Sequence, residues 1–160
     1  MKLTVTQKPL NGILGGPKNL HLDLFINQQS YEIDISQCGE RSVSVTSNAK
    51  YGDILHVYYD IETLLMLFDG QFFQTIEVND GASITLSWKN RSLPCFESAD
   101  FLIGSSSKLI EFDSVLNNSI LEKWDGIRQE LDIIHNTVLY STSNAGVPID
   151  MKCAFMIEAF

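Results

Sequence analysis

Apolar residues in the first half of the chain recur at every second position, the spacing that gives a β-strand one face against a core and one toward water. Leu20, Leu22, Leu24 and Ile26 share one phase, while His21, Asp23 and Asn27 share the other. Tyr31, Ile33 and Ile35 repeat the alternation against Glu32, Asp34 and Ser36, and the polar Asn27-Gln28-Gln29-Ser30 between them predicts a hairpin loop. Val43 and Val45 mark a further short strand, and Met1 to Lys8 alternates in the same way. Asn11-Gly12 and Gly15-Gly16-Pro17 bound a loop between the first two strands. At Tyr51-Gly52-Asp53 the period changes: Ile54, Leu55, Tyr58, Ile61, Leu64, Leu65 and Phe68 recur at steps of three and four. This predicts a helix from Asp53, as N-cap, to Phe68, with Gly70 as C-cap. More than half of its circumference is apolar, so it is expected to be buried against one side or end of a sheet.

Phe72 to Val78 runs into Asn79-Asp80-Gly81, a turn whose Asp-Gly pair favours positive φ, and returns through Ala82, Ile84, Leu86 and Trp88 on the inward face. Pro94 ends that ribbon, and Ala99 to Ile103 reads as a last strand before the loop Gly104 to Ser107. From Asn117 onward the pattern is helical. Ser119-Ile120-Leu121-Glu122 matches a capping box, and Ile120, Trp124, Ile127, Leu131, Ile134 and Val138 form a seam at alternating steps of four and three. After the turn-prone Ser141 to Gly146, Pro148 suits a first helical position. Ile149 to Phe160 is apolar apart from Asp150, Lys152 and Glu158, so this last helix needs cover on nearly every side. The expected architecture is α+β: a mainly antiparallel, β-sandwich-like body over residues 1–112 with one inserted helix, followed by two C-terminal α-helices over residues 113–160. The cover for Ile149 to Phe160 is expected from the sheet, from further helices of the same module, or from a protein partner, with a homodimer as one form.

Composition narrows the function classes. With 160 residues, 44% of them hydrophobic, the chain can bury the core of one ordinary domain. The 20 acidic against 11 basic side chains give a net charge of -9, which repels nucleic acid and anionic membranes unless the cations gather on one face. The densest cationic spot, Lys89-Asn90-Arg91, holds only a pair of charges and reads as a solubilising strand end. The N-terminus lacks the apolar run of a signal peptide, and the stretch Ile54 to Phe68 falls short of the roughly 20 residues of a membrane span, so a cytoplasmic location is expected. Cys38, Cys95 and Cys153 are widely spaced, without a C-x-x-C pair, and predict neither a disulfide framework nor a thiolate zinc site.

Candidate chemistry is sparse. Arg128 and His135 stand seven positions apart on the second-half helix, hence on one face and about 10 Å apart along its axis. Such a pair can stabilise charge and move protons at a scissile phosphate. An ordinary helix-surface ion pair with Asp132, with Asp125 also close, is the preferred account of Arg128. Asp53, His56 and Asp60 at i, i+3 and i+7 could flank a metal, although Asp53 has a sufficient account as N-cap. His21 and Asp23 share a strand face that reads as solvated. Tyr58-Tyr59 and Phe72-Phe73 each place one ring on either side of an element, where core packing is the usual outcome. No phosphate-binding loop, H-E-x-x-H, G-x-S-x-G or kinase signature occurs. No catalytic, cofactor-binding or metal-binding residue is therefore assigned, and no cofactor is expected.

In element order, with strands, the helix from Asp53 to Phe68, the hairpin from Phe72 to Trp88, then Leu121-Glu122-Lys123-Trp124 and Val147 to Phe155 opening helices, the chain resembles the N-terminal domain of ApeA-like proteins running into their HEPN helices. That resemblance implies a bacterial anti-phage abortive-infection protein, whose β-rich N-terminal domain senses or regulates while HEPN helices cleave RNA. Two departures stand out: fewer helices than a complete HEPN bundle, and an Arg128/His135 pair on an earlier helix than the family's Arg/His motif. The reading that follows is a non-enzymatic sensing or regulatory domain. The alternatives are a dimeric HEPN-like RNase acting through Arg128 and His135, and a small-ligand or carbohydrate-binding β-sandwich.

Overall fold

The computed structural model describes residues 1–9, 14, 16–69, 73–81, 111–128, 130, 131 and 134. Its elements in chain order are β1 (Lys2–Pro9), β2 (Lys18–Ile26), β3 (Gln29–Cys38), β4 (Glu40–Ser47), α1 (Tyr51–Asp69), β5 (Phe73–Asn79), α2 (Phe112–Val115) and α3 (Asn118–Ile127). The five strands form one sheet in the order β2-β3-β4-β1-β5, with every neighbouring pair antiparallel. The class is thus α+β with an antiparallel sheet, as the alternating pattern predicts. The residues from which a further layer of strands was expected, Ala82 to Trp88 and Ala99 to Ile103, lie outside the described residues, as do Gly70 and the segment Ile149 to Phe160.

Turn chemistry sets the register. β2 and β3 are joined by two residues, Asn27 at φ 52° and Gln28 at φ 64°, the left-handed pair that matches the twist of a tight hairpin. Gln29 and Ser30, expected in the loop, already pair with Ile26 and Phe25. Asn tolerates the left-handed region and Gln does so at a cost, so the strands continue pairing to the last position the backbone permits. Gly39, at φ 75°, turns β3 into β4.

Period-two phasing decides the faces. Leu3 and Val5 of β1, Leu24 of β2, Tyr31, Ile33 and Ile35 of β3, and Val43 and Val45 of β4 are buried on one side. α1 lies over that side above β4, and α3 lies beside it over β2. Ile54, Val57, Tyr58, Ile61, Leu64, Leu65 and Phe68 of α1 fill the gap, and one cluster of buried side chains runs on through Phe112, Leu116, Leu121 and Trp124. Each fully buried aliphatic or aromatic side chain contributes about 1.5–3 kcal/mol relative to exposure. The opposite face is polar: Thr4 pairs across the strands with Ser44, Ser44 with Asp34, and Asp34 with His21. Among the described residues no helix is long and apolar enough to cross a membrane.

Both helix starts differ from expectation. α1 begins at Tyr51 because the Lys50 carbonyl accepts from the amides of Asp53 and Ile54 at 3.0 and 3.1 Å. Asp53 consequently sits inside the first turn, where its charge suits the positive end of the helix. α3 is capped by Asn117, whose Oδ1 accepts from the Ile120 amide at 3.1 Å, so Ser119 lies within the helix and is not its cap. Asn is as good a cap as Ser and comes first in the chain. The seam is also rotated: Leu121 and Trp124 are buried, whereas Ile127 is 44% exposed.

One row of the inner face is polar. Gln7, Arg41 and Gln37 stand opposite one another across β1, β4 and β3, each in the phase of the apolar residues of its strand. Arg41 is 0% exposed. Its Nη1 donates to Asp69 Oδ2 at 2.6 Å and its Nη2 to Gln37 Oε1 at 2.8 Å, while the Phe73 and Phe112 rings lie 4.7 and 5.1 Å from its Cζ. Gln7 donates to Tyr58 Oη at 2.7 Å and to Glu62 Oε1 at 2.6 Å.

Two outcomes follow. Gln28→Gly, which removes the cost of holding a Cβ at positive φ, raises stability by about 1 kcal/mol, read as a higher denaturant midpoint at unchanged slope. Arg41→Ala, which strands the buried Asp69 carboxylate, lowers stability by about 3–5 kcal/mol in the same measurement.

Candidate functional site

α1 and α3 bring together four charged or titratable side chains that the sequence places in separate motifs. His56 and Asp60 are one turn apart on α1; Asp125 of α3 and Arg128 just beyond it come from the facing helix. The helices are held in this relation by Trp124, whose Nε1 donates to Thr63 Oγ1 at 2.9 Å. At the start of α3, the Asn118 side-chain amide donates to the Asp23 carbonyl of β2.

His56 Nε2 lies 2.7 Å from Asp125 Oδ1 and 3.5 Å from Asp60 Oδ2. Arg128 Nε contacts Asp60 Oδ1, and its Nη2 lies 3.4 Å from His56 Nδ1. A guanidinium has only donors, so in the neutral form of the ring the Nδ1 that faces it is the accepting nitrogen and the Nε2–H is donated to Asp125. Asp60 is 2% exposed, and among the described residues neither of its carboxylate oxygens accepts a geometrically sound hydrogen bond. Burial therefore pushes its carboxyl up to about 6, against the opposing charges of His56 and Arg128 and with a further upward push from the neighbouring Asp125. Chemically, the arrangement is a buried carboxylate with two rival neighbours, a guanidinium and an imidazole, beside the partly exposed side chains of His56 and Asp125.

Of the residues singled out in the sequence, Asp53 remains exposed in the first turn of α1 and does not join this group. Arg128 is turned toward α1, and both His135 and Asp132 lie outside the described residues. His21 and Asp23 do come together with a third residue on the polar face. His21 Nδ1 is 2.7 Å from Asp34 Oδ1, its partner in the strand register, and Nε2 is 3.7 Å from Asp23 Oδ1. The hydrogen bond to Asp34 raises the His21 pKa, opposed by partial desolvation and aided by the nearby carboxylates. That group is open to water. Tyr58 is buried with its ring 5.5 Å from that of the half-buried Tyr59, Phe73 is buried, and Cys38 is a free, exposed thiol.

Sequence reasoning missed the pairing of His56 with Asp125, which depends on how α3 docks. It also missed the Gln7-Arg41-Gln37 row. A signal for that row existed: each of the three falls in the apolar phase of its strand, where a polar residue needs a buried partner. No protein-family model matches the chain, and no curated protein or solved structure matches it either.

The raised Asp60 carboxyl gives a signed pH dependence. Because its pKa is higher folded than unfolded, its contribution to stability is fully present below about 4 and is lost as pH rises through about 6. Asp60→Asn is uncharged throughout. The stability difference, variant minus wild type, is therefore expected to rise by on the order of 2 kcal/mol between pH 4 and pH 7.5, measured by chemical denaturation at each pH. A difference independent of pH would show that Asp60 titrates normally.

Proposed function

We propose that this chain is a non-enzymatic sensing or regulatory domain, acting in the bacterial cytoplasm as the ApeA-like resemblance implies, with its helical segment serving as the output. The observation that carries the reading is the engagement of Arg128. Its guanidinium faces Asp60 and His56 at the α1–α3 contact, and its side chain is 18% exposed. An arginine so engaged fastens a helix to a sheet domain and is poorly placed to meet a phosphate in a dimer cleft. On this reading, α3 transmits whatever displaces it from α1 to the helices that follow. Those helices, or a partner or second copy, cover Ile149 to Phe160, and the residues beyond Gly81 add the strands of a sandwich-like body.

The carbohydrate-binding alternative gains no support from the polar sheet face. Among the described residues Phe25, 64% exposed, is the one large aromatic side chain laid open there, and stacking on sugars needs a platform of rings.

Charge reversal at Arg128 separates the regulatory reading from the nuclease reading. Arg128→Glu is expected to lower stability by about 2–4 kcal/mol, by setting a third carboxylate beside Asp60 and Asp125, with RNA incubated with either protein left intact. Cleavage of RNA by the wild-type chain that Arg128→Glu abolishes, in protein still folded by circular dichroism, would establish the nuclease instead.

A further inference from the structure

Two groups of histidine and carboxylate side chains among the described residues converge closely enough to share one ion. His21, Glu32 and Asp34 are all exposed, and water already serves their charges. His56, Asp60 and Asp125 differ in containing a buried carboxylate whose two oxygens accept no hydrogen bond among the described residues. A buried carboxylate is costly unless a cation or several donors face it, and here it is faced by the Arg128 guanidinium on one oxygen and by the His56 ring, at 3.5 Å, on the other.

We propose that His56 Nε2 and the carboxylates of Asp60 and Asp125 bind a divalent transition-metal ion of the zinc type, which clamps α3 to α1. The three ligand atoms lie within 4.8 Å of one another, with Nε2 at 2.7 Å from Asp125 Oδ1 and 3.5 Å from Asp60 Oδ2. Ligands each about 2.0–2.2 Å from one ion stand roughly 3 Å apart, so the spacing needs only small side-chain adjustments. One imidazole with two carboxylates suits zinc, cobalt or manganese, and offers too few oxygens for calcium. The side chains of His56 and Asp125 are 40% and 24% exposed, which gives an ion a route from solvent and leaves room for water as a further ligand.

Arg128 is the competitor built into the same place. An ion on Nε2 requires the neutral ring to carry its proton on Nδ1, which turns that atom into a donor facing the donors of Arg128. The ion also takes over Asp60. Metal and guanidinium are therefore alternative countercharges, and Arg128 swings toward water when the ion enters. This inference goes beyond the regulatory reading and stands independently of it.

The test uses the full chain, treated with chelator and then titrated with Co²⁺ by visible absorption and calorimetry, with thermal unfolding followed in Zn²⁺ and in EDTA. The expected result is one ion per chain, a visible d–d band and a higher unfolding midpoint with Zn²⁺. His56→Gln is expected to weaken binding by at least about tenfold, and His21→Gln to leave it unchanged. Arg128→Met, which removes the rival charge, is expected to tighten binding about tenfold. If His56→Gln does not fold, Asp125→Asn reports on the same site. Absence of saturable binding, binding that survives both His56→Gln and Asp125→Asn, or binding lost on His21→Gln overturns the proposal.

Discussion

Among the described residues, the contact between the Arg41 guanidinium and the Asp69 carboxylate ties the sheet to α1, β5 and α2 at one point. Arg41 leaves the middle of the sheet, and Asp69 is the last residue of α1, so their 2.6 Å contact fixes where the helix ends relative to the strands. Phe73 at the start of β5 and Phe112 at the start of α2 both lie against the same guanidinium, and Gln37 links it to the Gly16 carbonyl before β2. A buried ion pair is weak support for stability as such, because desolvation cancels much of the attraction. Its stronger effect is on uniqueness. A one-residue slip of β4 would carry Arg41 to the opposite face and bring serines into the core, so only one register satisfies both the charge and the apolar row.

That row also shows what was and was not legible in the chain. Strand existence and facing followed from alternation, since Leu3, Val5, Ile33, Ile35, Val43 and Val45 are buried as their phase requires. The long helix followed from its three-four spacing. Boundaries were less legible, because backbone groups competed for them: the Lys50 carbonyl and the Asn117 side chain reached free amides before Asp53 and Ser119 could. The strand order was not legible at all. Nothing in a local pattern says that β1 lies between β4 and β5, or that Gln7, Arg41 and Gln37 stand side by side.

The same limit applies to the α1–α3 site. Each half of it is visible as spacing on one helix: His56 and Asp60 on the first, Asp125 and Arg128 on the second. Their conjunction depends on a rotation of α3 that buries Leu121 and Trp124 and leaves Ile127 to solvent, a choice made by packing against the sheet. In that orientation the Trp124 indole N–H donates to Thr63 Oγ1 and so satisfies a donor that is buried with the ring. Hydrophobic spacing narrowed the rotation to within about one residue, and the packing of α3 on the sheet and on α1 supplied the remainder.

The position of β1 carries a consequence for how the chain is made. It pairs on one side with β4, where Lys2 meets Thr46, and on the other with β5, where Val5 meets Val78. During synthesis the β2–β3–β4 meander can close locally as it emerges, yet β1 can complete its place only after α1 has crossed over and β5 has been delivered. Until then β1 has an open flank, with Leu3 and Val5 uncovered by the helix that later shelters them. Such long-range closure slows folding and prolongs the interval in which a chain is vulnerable to association with its neighbours.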